Sequence, residues 1–216
     1  MAGSAPRVQI SRGALERNLA AALRDAPERG VDLRRDACGH GAGLVAEAAR
    51  GLGVRSALGD GPVEGLALAD EAQLLPPERV FGLAGGGEPV MTFSGRVLQT
   101  KPLRAGEGVS YGYRHRAAFD TRVALVTGGY AQGVVRALGG AATVRIRGEE
   151  RPIVGRVAMD VCVVDLGELE VAPGDEAVFF GQGHPASLAS WARATGLTEL
   201  ELVAFPGLRC EREVTA

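Results

Sequence analysis

Leu15, Leu19 and Leu23 recur at i, i+4 and i+8, which predicts a helix over about 12–25 behind a short strand, VQIS (8–11). VDLRRDA (31–37) reads as a strand, LVAEAARGL (44–52) as a helix, and VRSALGD as a second strand. GLALADEAQLL (65–75) has a strand-to-helix pattern stopped by Pro76-Pro77, and RVFGLAG (79–85) reads as another strand. That alternation predicts parallel β/α units. After Gly85-Gly86-Gly87 the pattern changes. From Val97 the chain runs in short, β-branched, alternating stretches with glycines at the turns, among them Gly106, Gly148, Gly174 and Gly196. One helix is expected at about 186–195, ahead of the strand-like ELELVAF and the terminal RCEREV. The second half therefore predicts a compact antiparallel β barrel. The fold class expected is α+β, with a parallel β/α part over 1–88 and a β barrel over 89–216; residues 8–11 are a candidate to pair with the barrel.

Composition narrows the class. The chain has 216 residues, is 46% hydrophobic and carries a formal net charge of −2, which is ordinary globular composition with no basic nucleic-acid footprint. Lys101 is the single lysine among 24 Lys+Arg. Cys38, Cys162 and Cys210 are too scattered for a disulfide framework or a metal site. No apolar run reaches transmembrane length, and the start lacks a signal-type apolar core, so a reduced, cytoplasmic protein is expected, with no metal, nucleic-acid or membrane partner.

Four motifs carry specific information: VDLRRDACGHGAG (31–43), KPLRAGEGVSYG (101–112), GGYAQGVVR (128–136) and PIVGRVAMD (152–160). In order and spacing they resemble alanine racemases, and residues 97–216 look like that family's C-terminal β domain. The resemblance implies a pyridoxal phosphate (PLP) lysine at the position of Arg34, with Cys38 on a family tyrosine. It implies that Tyr111 is the proton-transfer tyrosine and Tyr130 an active-site tyrosine, with Gln132 in place of an aspartate. Met159 and Asp160 fall on the substrate-contacting loop. A full (β/α)₈ barrel takes about 250 residues, so residues 31–85 resemble only its first part, a TIM-barrel remnant. The missing part would carry the phosphate-binding amides and the ring partners, and Leu200 stands where the family has a phosphate-binding tyrosine. The family pairs its subunits head to tail, which implies a homodimer with Tyr111 at the interface.

Tyr111, Asp160 and His40 are the catalytic candidates; Tyr130, Met159, Arg136 and Cys38 are the substrate-binding ones. A phenol, with pKa near 10, acts as a base only beside cations or donors, and Arg114 and Arg116 are close in sequence. Each has a plainer alternative. Tyr111 could pack at a turn, Asp160 could accept backbone N–H bonds, His40 could be structural, and Cys38 could be a small buried thiol. GLAGGGEP (82–89) lacks the phosphate-loop pattern and reads as a linker. A guanidinium cannot form a Schiff base because it stays protonated. The expectation is therefore a cofactor-free proton-transfer enzyme on a small molecule, an isomerase, cyclase or lyase of specialised biosynthesis. The alternatives are an inactive pseudo-racemase serving dimerisation or regulation and, third, a PLP-dependent alanine racemase.

Overall fold

The computed structural model describes residues 5–216. Strand β1 (Arg7–Ser11) leads into the helix Arg12–Asp25, started by Ser11, whose Oγ accepts the Ala14 N–H at 3.2 Å. Three very short parallel strands follow: β2 (Val31–Asp32), β3 (Ser56–Leu58) and β4 (Ala67–Leu68). The helix Ala42–Gly51 crosses between β2 and β3, but a loop alone joins β3 to β4. Residues around Leu74 return to cover the far edge of β2. Gly30 N–H donates to Gln73 O and Leu75 N–H to Gly30 O. The parallel part is thus a small three-stranded sheet, and only its β2–helix–β3 unit follows the expected barrel pattern.

The barrel is closed. Its strands are β5 (Met91–Leu103), β8 (Thr121–Thr127), β9 (Thr143–Ile146), β10 (Glu149–Val154), β11 (Val161–Asp165) and β12 (Glu176–Phe180). They pair in the order β12-β9-β10-β11-β8-β5, and β12 pairs back onto β5. The thirteen-residue β5 pairs with both β12 and β8, with an irregularity between Val97 and Gln99, and Gly95 admits the close approach of Thr127 O, 1.9 Å from an added Cβ. A small hairpin, β6 (Gly108–Val109) and β7 (His115–Arg116), projects from the wall. Outside the ring, β1 pairs antiparallel with β5 and parallel with β13 (Glu211–Thr215). One apolar core runs from Val8, Leu15 and Leu19 through Phe81 into the barrel. There Phe93, Phe179 and Phe180 pack with Trp191 of the helix Ala186–Thr195.

Three expected strands differ. RVFGLAG becomes the helix Pro77–Phe81: proline occupies its first turn and Gly82, at φ 67°, ends it. ELELVAF is inside the helix Glu199–Arg209, nucleated by a capping box. Thr198 Oγ1 accepts Glu201 N–H at 3.2 Å, and Glu201 accepts Thr198 N–H at 2.7 Å. VDLRRDA is extended only over Val31–Asp32 and then turns left-handed: Arg35, Asp36, Ala37 and Cys38 all have φ between 52° and 56°. Among the described residues no helix is long and apolar enough to cross a membrane.

Candidate active-site face

Two loops at the end of the barrel are laced together. Gly128 N–H donates to Asp160 O (2.9 Å), Tyr130 N–H to Ala158 O (3.0 Å) and Ala131 N–H to Met159 O (3.0 Å). Gln132 completes the lattice: its Oε1 accepts Gly129 N–H (3.0 Å) while its Nε2 donates to Asp160 Oδ1 (2.8 Å). The glutamine supplies two donors and an acceptor where an aspartate would offer acceptors only, so it suits an acidic neighbour. Asp160 is thereby held in the loop, and no hydrogen bond joins it to Tyr111. Arg136 lies over the Tyr130 ring, 4.4 Å from its centroid, which fixes both side chains. Met159 is 54% exposed on the same loop.

Tyr111 follows β6 on the projecting hairpin and is 73% exposed; Tyr113, two residues on, is 68% exposed. The hairpin has an anchor of its own, since Val109 packs with Leu103, Ala117, Val123 and Val154 in a small second core. Ser110 Oγ accepts the Arg156 N–H at 3.0 Å, tying the tyrosine's neighbour to the loop before Met159. Gly155 makes the approach possible. At φ 69°, an added Cβ there would fall 1.9 Å from Ser110 Oγ. Arg116 Nη1 donates to Gly106 O at 2.9 Å. Arg114 joins His115, Arg136 and Arg156 around a cleft of about 580 Å³. Arg156 had no place among the sequence candidates; its link to Ser110 is a fold contact across 46 positions.

The other candidates lie elsewhere. His40 is fully buried, stacked on Phe81 at 3.9 Å with the rings 7° from parallel, and its Nδ1 faces Ala37 O at 3.1 Å. Burial pushes its pKa down to about 4. This placement suits the structural role rather than a proton-transfer role beside Tyr111. Cys38 is half-buried, and burial, with Asp32 nearby, raises its thiol; that favours an inert thiol over a substrate contact. The left-handed turn carrying it costs about 1–2 kcal/mol per residue. It is held by Asp36, which accepts Ala42 N–H at 2.7 Å, and by Arg212, which pairs with Asp36 and donates to Gly39 O at 3.0 Å.

Arg34 stands where a Schiff-base lysine is implied, and the structure commits it to other work. Its Nε and Nη2 bond both Asp32 oxygens, and Nη2 reaches Glu71 Oε1 at 2.8 Å. These bonds, from Asp32 first and then Glu71, push the guanidinium further above its usual range. The residues at this position therefore do not fit a covalent PLP anchor. Lys101, the one amine side chain, lies on β5 beside Gln99, Ser110 and Val123 on the barrel wall.

The family model described as "Alanine racemase, C-terminal domain" matches residues 90–214. The chain belongs to this family. Among alanine racemases, that of Mycobacterium ulcerans is 48% identical over 129 residues, covering 57% of this chain, and that of Mycobacterium leprae is 48% identical over 120 residues, covering 53%. These matches cover 33% and 31% of the relatives, so the chain spans about a third of their length. The alanine racemase structure from D-cycloserine-producing Streptomyces lavendulae superposes with a TM-score of 0.86 at 20% identity, over 100% of this chain and 98% of that one. The Bartonella henselae enzyme, solved with covalently bound pyridoxal phosphate, gives 0.83 at 16%, over 99% and 100%. At such identities the superpositions speak for the fold alone.

The comparisons correct the functional expectation. The relatives and structural neighbours alike are named alanine racemase, and one is named with its PLP bound. The expected cofactor-free isomerase, cyclase or lyase is overturned, and nothing in the comparisons supports the inactive pseudo-racemase.

Proposed function

We propose that this chain serves alanine racemization as the β-domain half of a racemase site, presenting Tyr111 to a barrel carried by another chain. The observation that carries the reading is the exposed Tyr111, 73% accessible on an anchored hairpin, within the stretch matched by the alanine racemase C-terminal domain model. A hydroxyl held out from the wall by Ser110, Arg156 and the Val109 core is placed to meet a substrate lying outside its own chain. There Tyr111 Oη would take or return the α-proton of an alanine, and Met159 and Tyr130 would border that substrate. The loop lattice around Gln132 and Asp160 keeps this border rigid, so little ordering remains to be done on docking.

Two copies of this chain would bring two such faces together with no complete barrel between them. A partner chain with the whole barrel and its lysine would complete the site, where the resemblance implied a homodimer. The three free cysteines suit a reduced cytoplasm.

Complementation tests the reading. An alanine racemase whose own proton-transfer tyrosine is changed to phenylalanine is mixed with this chain, and D-alanine formation is followed against each protein alone. Recovery with the native chain and none with Tyr111→Phe is expected. A stable complex with no recovered turnover would overturn the proposal.

A further inference from the structure

We propose that the cleft between the Tyr111 hairpin and the Tyr130 loop binds a small phosphate-bearing molecule. Arg114, Arg136 and Arg156 line one cleft together with His115, and no carboxylate lines it. Among the described residues none of the three guanidiniums enters an ion pair, whereas Arg12, Arg17, Arg34, Arg79, Arg147, Arg151 and Arg212 each do. Residues 1–4 bring no acidic side chain. The chain as a whole is slightly acidic, at −2, so this concentration of positive charge is local. Unpaired like charges around one concavity repel each other and focus potential on an anion.

The geometry favours a phosphate over a single carboxylate. Three guanidiniums line the cleft, and a tetrahedral phosphate offers them more acceptor oxygens and more negative charge than a single carboxylate does. The cleft is prearranged: Arg136 is pinned on the Tyr130 ring, and the Arg156 main chain is fixed by Ser110. Ala137, Gly139, Gly140 and Gly155 form the rest of the wall, and at Gly140 nothing lies within 4 Å of an added Cβ, so an anion can approach the backbone there. About 580 Å³ is far more than a phosphate group fills and leaves room for the organic part of a phosphate monoester. Binding here needs no partner barrel and stands apart from the complementation reading.

Isothermal titration of the full chain at fixed ionic strength, with inorganic phosphate, glycerol phosphate and malonate in separate runs, tests this. One-to-one binding of both phosphates is expected. It should weaken about tenfold or more in each of Arg114→Gln, Arg136→Gln and Arg156→Gln. Arg193→Gln, on the surface of the helix Ala186–Thr195, should bind as the native chain does, and a thermal melt of each variant confirms folding. No phosphate binding, equal binding by the folded cleft variants, or tighter binding of malonate than of either phosphate would overturn the assignment.

Discussion

Gly129→Ala should unlace the loops that carry Tyr130 and Met159. The glycine has no positive φ, so alanine suits its backbone; the obstacle is the facing loop. An added Cβ would lie 2.2 Å from Met159 O and 2.5 Å from Ala158 O. Both are main-chain atoms, and no rotamer change relieves the overlap. Separating the loops by the required distance, about 1 Å, stretches the bonds from Gly128, Tyr130 and Ala131 beyond useful length. At about 1 kcal/mol net for each, three bonds sum to about 3 kcal/mol. For a chain of this size that lowers Tm by about 6–12 °C. Gly43→Ala is the matched control: nothing lies within 4 Å of its added Cβ in the helix Ala42–Gly51. It should be neutral or gain up to about 1 kcal/mol. Circular-dichroism melts give both numbers, and amide exchange locates the damage. A Gly129→Ala melt within about 2 °C of native, with Ala131 still protected, would refute the loop-lattice argument.

Two more outcomes concern His40 and Arg212. His40 has a folded pKa lowered from 6.5 to about 4, so the unfolded chain takes up its proton first as pH falls. The stability it contributes is complete above about 6.5 and lost on the way down to about 4; His40→Phe should flatten the Tm profile across that window, and an unchanged slope would count against the burial argument. Arg212→Gln removes the partner of Asp36 and the donor to Gly39 O. Faster amide exchange confined to residues 35–41 and 211–215 is expected by mass spectrometry, and native protection there would contradict the role given to Arg212.

Alternation in β9 and β11 made the barrel readable, because one face of each strand is buried and the other is not. The same cue misled at ELELVAF, where alternation mimics a strand, although Thr198 and Glu201 spell out the capping box that starts the helix. The left-handed turn at Arg35–Cys38 was not readable. Only Gly39 hints at it, and the groups that hold it, Asp60 and Arg212, are distant in sequence. Tyr111, Tyr130 and Met159 were legible as motif letters. The contacts that hold their loops were not, since these depend on Gly155 admitting Ser110 and on Arg136 lying over Tyr130. The cleft arginines were seen singly, Arg114 as a neighbour of the phenol and Arg136 as a substrate contact. A shared cavity cannot be counted from a one-dimensional string.

The parallel seam between β1 and β13 also governs the order of assembly. It joins segments some 205 residues apart, with Thr215 Oγ1 reaching Ile10 O across that separation. Such a closure is entropically the most expensive in the molecule and forms late, after the local hairpins of the barrel are in place. Until then β1 hangs on β5 with one edge unpaired, a template for any other unpaired strand in solution. Refolding yield should therefore depend on protein concentration, through competition between an intramolecular seam and an intermolecular one.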